Sequence, residues 1–365
     1  MAVKLLILSR DGGWDGGVIH VVASITRALS SSVDHDIFVI GRRIGQRSFL
    51  LGLLQPLSDA ISLFWRTASG EYDLVHVNPS FNARSLLRDG LFMLTLRMTR
   101  QNVFIFYHGW NESLATAVAR NALFRILFRF SYGYAGMSLV LADRFRQQLV
   151  GMGIPENKLA TITTMFDGNE YRALHFDKRV HGRTVLFLSR LVREKGVFEL
   201  LSAFSCILKK YPDARLIMAG DGAARVDIQA AISAAGLKEV VSLPGYLRGK
   251  AKAEVLGKAD IFVLATYYGE GCPVSLLEAM AAGLALVSTP VGGIPDVLKD
   301  GENGVLLPSA DPHEICQALE RLMSCPEDLA RISSANREKA WRCYEASVVT
   351  ARIEHYYKRV ARPRK

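Results

Sequence analysis

Short, wholly apolar runs recur along the whole chain, and each is followed by a segment of helical composition. The runs at 4–9, 103–107 and 261–265 are of strand length and do not alternate with polar residues. Strands that are apolar on both faces are typical of parallel sheets covered by helices on both sides. The sequence therefore predicts an α/β fold.

The number of domains follows from the length and from a second start of this pattern. A chain of 365 residues is long for one hydrophobic core and comfortable for two. The strand–helix alternation begins near residue 4 and begins again at 184, after a stretch poor in apolar residues. We expect an N-terminal domain at 1–171, a linker at 172–183 and a C-terminal domain at 184–340.

Composition limits the compartment and the class of protein. Half of the residues are apolar and 22% are charged, which is globular composition. Five cysteines, an odd number without a C-x-x-C pair, argue for a reducing compartment and against a zinc site. The first residues lack a signal-peptide layout, and no uninterrupted apolar run reaches the roughly 18 residues of a spanning helix. The expected location is cytoplasmic, either free or peripheral on the inner face of the cytoplasmic membrane.

The charge is strongly positive, and most of the cations in the first half are arginines. The net charge is +10, and residues 1–180 contain 20 basic residues, 17 of them arginine, against 14 acidic ones. Nucleic acid is not an expected partner because no recognition motif accompanies the charge. Anionic lipid and phosphorylated substrates explain the excess equally well.

The segment 269–283, GEGCPVSLLEAMAAG, has the features of an anion site with two carboxylates. It follows an apolar strand, Pro273 suits the start of a helix, and Gly283 suits its end. The N–H groups and the dipole at a helix N-terminus favour a phosphate. Glu270 and Glu278 can accept hydrogen bonds from hydroxyl groups on either side of such a phosphate, as in a sugar and a ribose joined by a diphosphate.

As a whole, this segment with its Glu-x7-Glu spacing resembles the donor-site signature of retaining glycosyltransferases of family 4 (glycosyl transferases group 1, GT-B fold). The resemblance is strong from about 183 to 310 and thinner before that. It implies two Rossmann-like domains that face each other across a cleft, with the acceptor bound by the first and the donor by the second. It also implies that 341–365 form a C-terminal helix that crosses back to the N-terminal domain and a basic tail.

The resemblance assigns roles to residues of the second half. Arg190 and Lys195 match the diphosphate-binding pair, and two cations between a strand and a helix also suit that role chemically. Glu270 would hold sugar hydroxyls and Glu278 ribose hydroxyls. The implied donor-binding residues are Gly16, Gly17, Arg190, Lys195, Gly220, Tyr246, Leu247, Glu270, Gly271, Cys272, Pro273, Val274 and Glu278.

Fewer residues of the first half are implicated. His108 ends an apolar strand and matches a family histidine beside the donor sugar, so the expected catalytic set is Glu270, His108, Arg190 and Lys195. Asn78 and Ser80 follow another strand and are expected near the acceptor. Arg84 and Arg88, one helical turn apart, are either ligands of an acceptor phosphate or surface charge.

No metal site and no cofactor are predicted. Asp34-His35-Asp36 spells the D-x-D of metal-dependent glycosyltransferases, but it precedes its strand, whereas ligands gather beyond the carboxyl ends of strands. It is interpreted as a solvated strand entry. The donor is a substrate, a UDP- or GDP-linked sugar.

Two apolar helical segments carry arginines and have two interpretations. Residues 119–130 place Leu123, Phe124, Ile126, Leu127 and Phe130 on one face. Core packing is the expectation for this face, and membrane contact is the alternative. The run at 49–54, preceded by arginines, is likewise compatible with a helix packed on the sheet or with a segment that dips into a bilayer surface.

The predicted function is transfer of a hexose from a nucleoside-diphosphate sugar to an acceptor hydroxyl, with retention and without a metal. The expected acceptor is a lipid-linked or polysaccharide-precursor glycan of the cell surface, and the charge is compatible with an anionic membrane as a further partner. A nucleotide-sugar 2-epimerase, which shares the fold, and a transferase with a soluble acceptor are the alternatives.

Overall fold

The computed structural model describes residues 2–10, 17–41, 49–172, 182–267 and 269–361. The chain forms two compact units, the first made of Met1–Met165 with Ala346–Lys365 and the second of Phe166–Glu345. Within the described ranges each unit contains one six-stranded sheet, and the paired strands are parallel. The predicted α/β class is confirmed.

The first unit has the strand order β2-β1-β3-β4-β5-β6. Its strands are β1 (Val3–Ser9), β2 (Val33–Val39), β3 (Leu74–Val77), β4 (Val103–Phe106), β5 (Met137–Val140) and β6 (Leu159–Thr161). The helices between them are α1 (Gly17–Ala28), α2 (Phe49–Ala68), α3 (Ala83–Met98), α4 (Glu112–Arg120), α5 (Ala122–Tyr132) and α6 (Asp143–Gly151).

The second unit has the strand order β12-β11-β10-β7-β8-β9. Its strands are β7 (Thr184–Leu188), β8 (Arg215–Ala219), β9 (Val241–Gly245), β10 (Ile261–Leu264), β11 (Ala285–Ser288) and β12 (Gly304–Leu306). Its helices are α7 (Val197–Ile207), α8 (Arg225–Ala234), α9 (Gly249–Lys258), α10 (Val274–Ala281), α11 (Ile294–Val297), α12 (Pro312–Ser324) and α13 (Pro326–Cys343).

The last helix, α14 (Ala346–Val360), belongs to the first unit, where it packs on α1. Tyr357 is fully buried there and its hydroxyl lies 2.8 Å from Nδ1 of His76. Glu354 accepts a hydrogen bond from the backbone of Ser30 at 2.6 Å. The helix expected over 341–365 therefore begins only at Ala346, because residues 341–343 end α13 and the chain leaves the second unit after Glu345.

The boundary between the units lies a few residues before the predicted end of the first domain. Phe166 donates from its backbone N–H to the carbonyl of Tyr344 at 3.2 Å and forms a bridge with Glu345. These contacts join residues 166–171 to the second unit. Of the predicted linker, residues 173–181 lie outside the described ranges.

Strand β2 starts earlier than predicted and includes the D-x-D sequence. Asp34 to Asp36 lie inside β2 rather than before it. Asp36 accepts hydrogen bonds from the Tyr72 hydroxyl at 2.7 Å and from Arg66 at 3.0 Å. The expectation that Asp34-His35-Asp36 precedes its strand is wrong, whereas the Asp36 side chain is 44% exposed and is solvated as expected.

The expected core packing of the apolar face at 119–130 is also wrong. The helix is broken at Asn121, whose side chain accepts from the Phe124 N–H and so starts α5. The five apolar residues predicted to face the core are instead between 51% and 61% exposed, namely Leu123, Phe124, Ile126, Leu127 and Phe130. Phe128 and Tyr132 are the residues of α5 that pack inward, stacked on each other.

Two global properties concern the membrane and the thiols. Among the described residues, no helix is both long enough and apolar enough to cross a bilayer. All five cysteines lie within the described ranges, and none of them forms a disulfide.

Candidate functional site

The candidate site lies at the carboxyl ends of β7 and β10. These two strands are neighbours, and the chain continues from them toward opposite edges of the sheet. Such a switch point leaves a crevice beyond the strand ends, where ligands of open α/β sheets bind. The loops after β7 and β10 are joined by a hydrogen bond from the Tyr267 N–H to the Glu194 carbonyl at 3.0 Å.

A buried ion pair between Lys195 and Glu270 is the centre of this crevice. Their side chains are 6% and 13% exposed. Burial, and next to it the charge of Arg190, lower the pKa of Lys195 to about 8. The carboxylate of Glu270 favours the charged form of the lysine. The sequence placed Lys195 and Glu270 in one site, and the structure brings the two side chains into direct contact.

Thr266 is a buried member of the site that sequence reasoning missed. Its hydroxyl lies 3.2 Å from the Glu194 carbonyl and 3.5 Å from Oε1 of Glu270. It thereby links the turn that carries Lys195 to the loop that carries Glu270. A threonine after a buried strand is too common for the sequence to mark it.

Two glycines allow the backbones of these loops to touch. At Gly292, with φ of +59°, an added Cβ would lie 1.8 Å from the carbonyl oxygen of Glu270. At Gly196, with φ of +75°, it would lie 2.2 Å from the carbonyl oxygen of Ala265. The Gly293 N–H donates to the Gly271 carbonyl at 2.6 Å. The position of Glu270 therefore depends on the loop after β11 as well as on its own.

The second carboxylate is also paired with a lysine. Glu278 lies in α10, is 7% exposed, and accepts from Nζ of Lys252 in α9 at 2.7 Å. The same ammonium lies 5.8 Å from the ring centroid of Tyr171. Lys252 was not predicted, because a single lysine in a helix carries no signal until the fold shows its partner.

The remaining donor-site residues of the central segment surround these pairs. Arg190 follows β7 and is exposed, and its charge acts on Lys195. Gly271 and Cys272 are buried, Pro273 is the N-cap of α10, and Val274 is its first residue.

Three further predicted donor-binding residues follow β8 and β9, namely Gly220, Tyr246 and Leu247. Gly220 donates to the carbonyl of Gly245 at 2.8 Å, so the ends of the two strands are held together. Tyr246 is exposed, with the Arg248 guanidinium 5.0 Å from its ring centroid, and Leu247 is half-buried. Strand β9 lies two strands from β7, a separation of about 10 Å at normal strand spacing.

In the first unit the structure joins Asn78 and His108, which follow β3 and β4. The Asn78 amide nitrogen donates to the Leu8 carbonyl at 3.2 Å, so its oxygen faces His108 Nε2 at 2.8 Å. That oxygen can only accept, and Nε2 therefore carries the proton. Burial lowers the pKa of His108 to about 3 and keeps the ring neutral.

Two of the predicted acceptor residues, Arg84 and Arg88, form a cluster with an arginine that was missed, Arg10. Arg88 makes two hydrogen bonds, at 2.7 and 2.9 Å, to the buried Asp89. Burial is the main cause that lowers the pKa of Arg10, and the charge of Arg88 is the second. The charge of Arg84 also lowers this pKa, whereas the charge of Asp89 raises it. Three arginines therefore lie within electrostatic range of one another. Ser80 lies beside Gly109, in the loop before α3.

Of the two adjacent glycines predicted to bind the donor, Gly16 and Gly17, only the second lies within a described range. Gly17 is the exposed first residue of α1. Gly16 lies outside the described residues.

The fold places the chain in the GT-B class of glycosyltransferase structures. It is similar to the crystal structure of Anabaena Alr3699/HepE in complex with UDP, with a TM-score of 0.76 and 16% identity. The similarity covers 98% of this chain and 100% of the other.

Residues 175–339 match the model of the family described as Glycosyl transferases group 1. The family resemblance predicted from the sequence is confirmed.

Curated relatives match over different lengths. The chain is 29% identical to a phosphatidyl-myo-inositol mannosyltransferase of Mycobacterium tuberculosis, over 80% of this chain and 75% of the relative. It is 25% identical to the amylovoran biosynthesis glycosyltransferase AmsK of Erwinia amylovora, over 61% of this chain and 56% of that relative. It is 31% identical to an alpha-D-kanosaminyltransferase of Streptomyces kanamyceticus over 39% of this chain, and so spans only 37% of that relative.

Proposed function

We propose that this protein is a retaining, metal-independent glycosyltransferase that moves a sugar from a nucleoside-diphosphate sugar to an acceptor hydroxyl. The observation that carries the proposal is the geometry of the second unit. Two carboxylates are each held by a lysine, Glu270 by Lys195 and Glu278 by Lys252, around the switch point of a group 1 glycosyltransferase domain.

The diphosphate of the donor is proposed to bind Arg190 and Lys195 together with the N-terminus of α10. A diphosphate competes with Glu270 for the ammonium of Lys195, because both are anions. Glu270 then becomes available to accept hydrogen bonds from sugar hydroxyls. A buried cation and a guanidinium fork stabilise the charge that develops on a leaving diphosphate, which is why the reaction needs no metal.

The nucleoside is proposed to lie along β8 and β9. Glu278 accepts hydrogen bonds from ribose hydroxyls, and Lys252 keeps its carboxylate ionised and oriented. Gly220, Tyr246 and Leu247 line the base. Tyr246 offers an exposed ring face for stacking.

The reaction is proposed to be a same-face substitution. The bond between the anomeric carbon and the diphosphate oxygen breaks, and the acceptor oxygen bonds to the same face of that carbon. The acceptor proton passes to the departing phosphate oxygen, so no protein nucleophile is consumed. The low pKa of His108 excludes a role as a cation at neutral pH, and the neutral ring is proposed to bind substrate by hydrogen bonding.

The acceptor is proposed to be a lipid-linked or polysaccharide-precursor glycan at the cytoplasmic face of the membrane. Two relatives support this by their names, one for a phosphatidyl-myo-inositol mannosyltransferase and one for amylovoran biosynthesis. The cluster of Arg10, Arg84 and Arg88 suits a phosphate on such an acceptor.

A transfer assay tests the proposal. The full chain is incubated with UDP- and GDP-linked hexoses, with and without a lipid extract, and the product is followed by chromatography and by NMR of the anomeric proton. We expect an acceptor-dependent product with the donor's anomeric configuration, unchanged by EDTA. Release of an epimerised sugar without acceptor would instead identify an isomerase, and an inverted product would refute retention.

A further inference from the structure

Helix α5 turns its most apolar face to solvent. Leu123, Ile126, Leu127 and Phe130 recur at helical spacing on the side opposite to the inward-packed Phe128, and each is more than half exposed. We call this set, with the flanking Phe124, the α5 face. Contiguous exposed apolar residues of this size mark a site of interaction rather than an ordinary surface.

Neighbouring helices on the same side of the sheet carry further exposed apolar residues. Helix α3 contacts both α2 and α5. In α2, Leu54, Leu57, Ile61 and Trp65 form one stripe, each between 53% and 72% exposed. The guanidinium of Arg97 in α3 lies 4.4 Å over the Phe130 ring, which connects α3 directly to the α5 face.

The charge around the α5 face is almost entirely positive. Residues 83–132, all of them described, contain seven arginines and no lysine, against two acidic residues, Asp89 and Glu112. Asp89 is buried and paired with Arg88, so this pair adds no net charge, and six arginines remain against Glu112. Arg120 and Arg129 are exposed beside the α5 face, and Arg125 is half-buried.

We propose that the α5 face and its arginines are a docking surface for an anionic phospholipid bilayer. The apolar side chains enter the boundary between headgroups and acyl chains, while the long arginine side chains reach lipid phosphates. Glycosyl transfer to a lipid-linked acceptor would then occur where that acceptor resides. The benefit of membrane docking for glycosyl transfer thus rests on the proposed function.

The charge distribution favours lipid over a second copy of the chain. A symmetric dimer through the α5 face would oppose two arginine-rich surfaces, and like charges repel. An anionic bilayer supplies the complementary charge and an apolar phase in the same place.

Flotation of the full chain with vesicles tests the surface. Vesicles of phosphatidylcholine with and without about 30% phosphatidylglycerol are compared at low and high salt, conditions that vary the attraction between arginine and lipid. We expect flotation with the anionic vesicles, weaker flotation at high salt, and little with phosphatidylcholine alone. Absence of flotation with anionic vesicles at low salt, or equal flotation with both vesicle types, overturns the proposal.

Matched variants locate the surface. Leu123→Gln with Leu127→Gln removes two exposed apolar side chains but keeps good helix formers, and vesicle binding should fall at least about tenfold. Arg120→Gln and Arg129→Gln should each cost about fivefold at low salt. The control pair Val150→Gln with Val226→Gln, exposed residues outside the surface, should bind like wild type. Unchanged binding by the leucine pair would refute the assignment.

Two further readouts separate the alternatives. If sedimentation shows a dimer that the leucine pair dissociates and the wild type does not float, the α5 face joins two copies and the lipid proposal fails. Nucleoside-diphosphate binding is measured on the same samples. A chain that floats but binds no nucleoside diphosphate contradicts the proposed function alone, whereas one that binds it and does not float contradicts the docking surface alone.

Discussion

Lys195 and Lys252 each neutralise a carboxylate that would otherwise be a buried, uncompensated charge. Removing one partner of such a pair costs about 3–5 kcal/mol, because the other charge remains buried. An alanine at Lys195 or Glu270 therefore mixes loss of function with loss of stability. Isosteric or charge-preserving substitutions separate the two effects.

For Glu270→Gln we expect a fall in kcat of about 100-fold with a small change in donor KM, since the proposed contact with the sugar strengthens as charge develops. Glu278→Gln should mainly raise the donor KM, because ribose contacts do not change during the reaction. Steady-state kinetics on both variants distinguishes these roles. The opposite pattern would mean that the two glutamates have been assigned to the wrong parts of the donor.

The pKa of Lys195 predicts a pH dependence of diphosphate binding. Below pH 8 the ammonium is charged and binds the diphosphate, and above pH 8 it loses its proton and affinity falls, by up to about tenfold per pH unit. Calorimetric titration of the nucleoside diphosphate from pH 6.5 to 9.5 measures this. Lys195→Arg stays charged throughout and is the control. An identical pH profile for both proteins would exclude Lys195 from the diphosphate site.

At the scale of single residues, the sequence could mark only residues that belong to a motif. Glu270, Glu278, Arg190 and Lys195 stand at fixed spacings and could be proposed from the sequence alone. Lys252, Thr266 and Arg10 could not, because a single lysine, threonine or arginine becomes informative only when the fold brings its partner to it. The pairing of Lys195 with Glu270, 75 positions apart, is likewise a tertiary contact.

Among the elements, the loop after β11 controls the loop that carries Glu270. Gly292→Ala should displace the Glu270 carbonyl, since the new Cβ would clash with it, and we expect a loss of transfer activity of at least about tenfold with a melting temperature several degrees lower. Gly151→Ala, where an added Cβ meets no atom within 4 Å, is the control and should behave as wild type. Equal behaviour of the two variants would show that the contact has no influence on the site.

The parallel strands were the most predictable elements and α5 the least. A run such as 261–265 is apolar on both faces, and only a buried parallel strand suits it, so β10 agrees with the prediction within one residue. The residues that share the apolar face of α5 were identified correctly from their periodicity, but the face was expected to point to the core and it points to solvent. Periodicity shows which residues share a face, whereas the position of the sheet decides whether that face is buried.

At the scale of the whole molecule, α14 follows the second unit in the chain but belongs to the first unit. Tyr357→Ala removes a fully buried ring from the first unit and should destabilise it by about 3–5 kcal/mol. Hydrogen exchange should then rise in peptides from 1–165 more than in those from 166–345. His355→Ala, on the exposed side of α14, is the control. A uniform increase over both units would indicate that they unfold as a single cooperative block.

The measurement that tests the central claim most directly is a thermal-shift panel with UDP, GDP, ADP and CDP. Wild type is compared with Arg190→Ala and with the control Arg193→Ala, an exposed arginine of the same loop. A ligand at 100 times its Kd stabilises the native state by about 2.7 kcal/mol. We expect one nucleoside diphosphate to raise the melting temperature of wild type and of Arg193→Ala by about 5 °C or more, and that of Arg190→Ala far less. No shift with any of the four, or equal shifts for all three proteins, would contradict a donor site between β7 and β10.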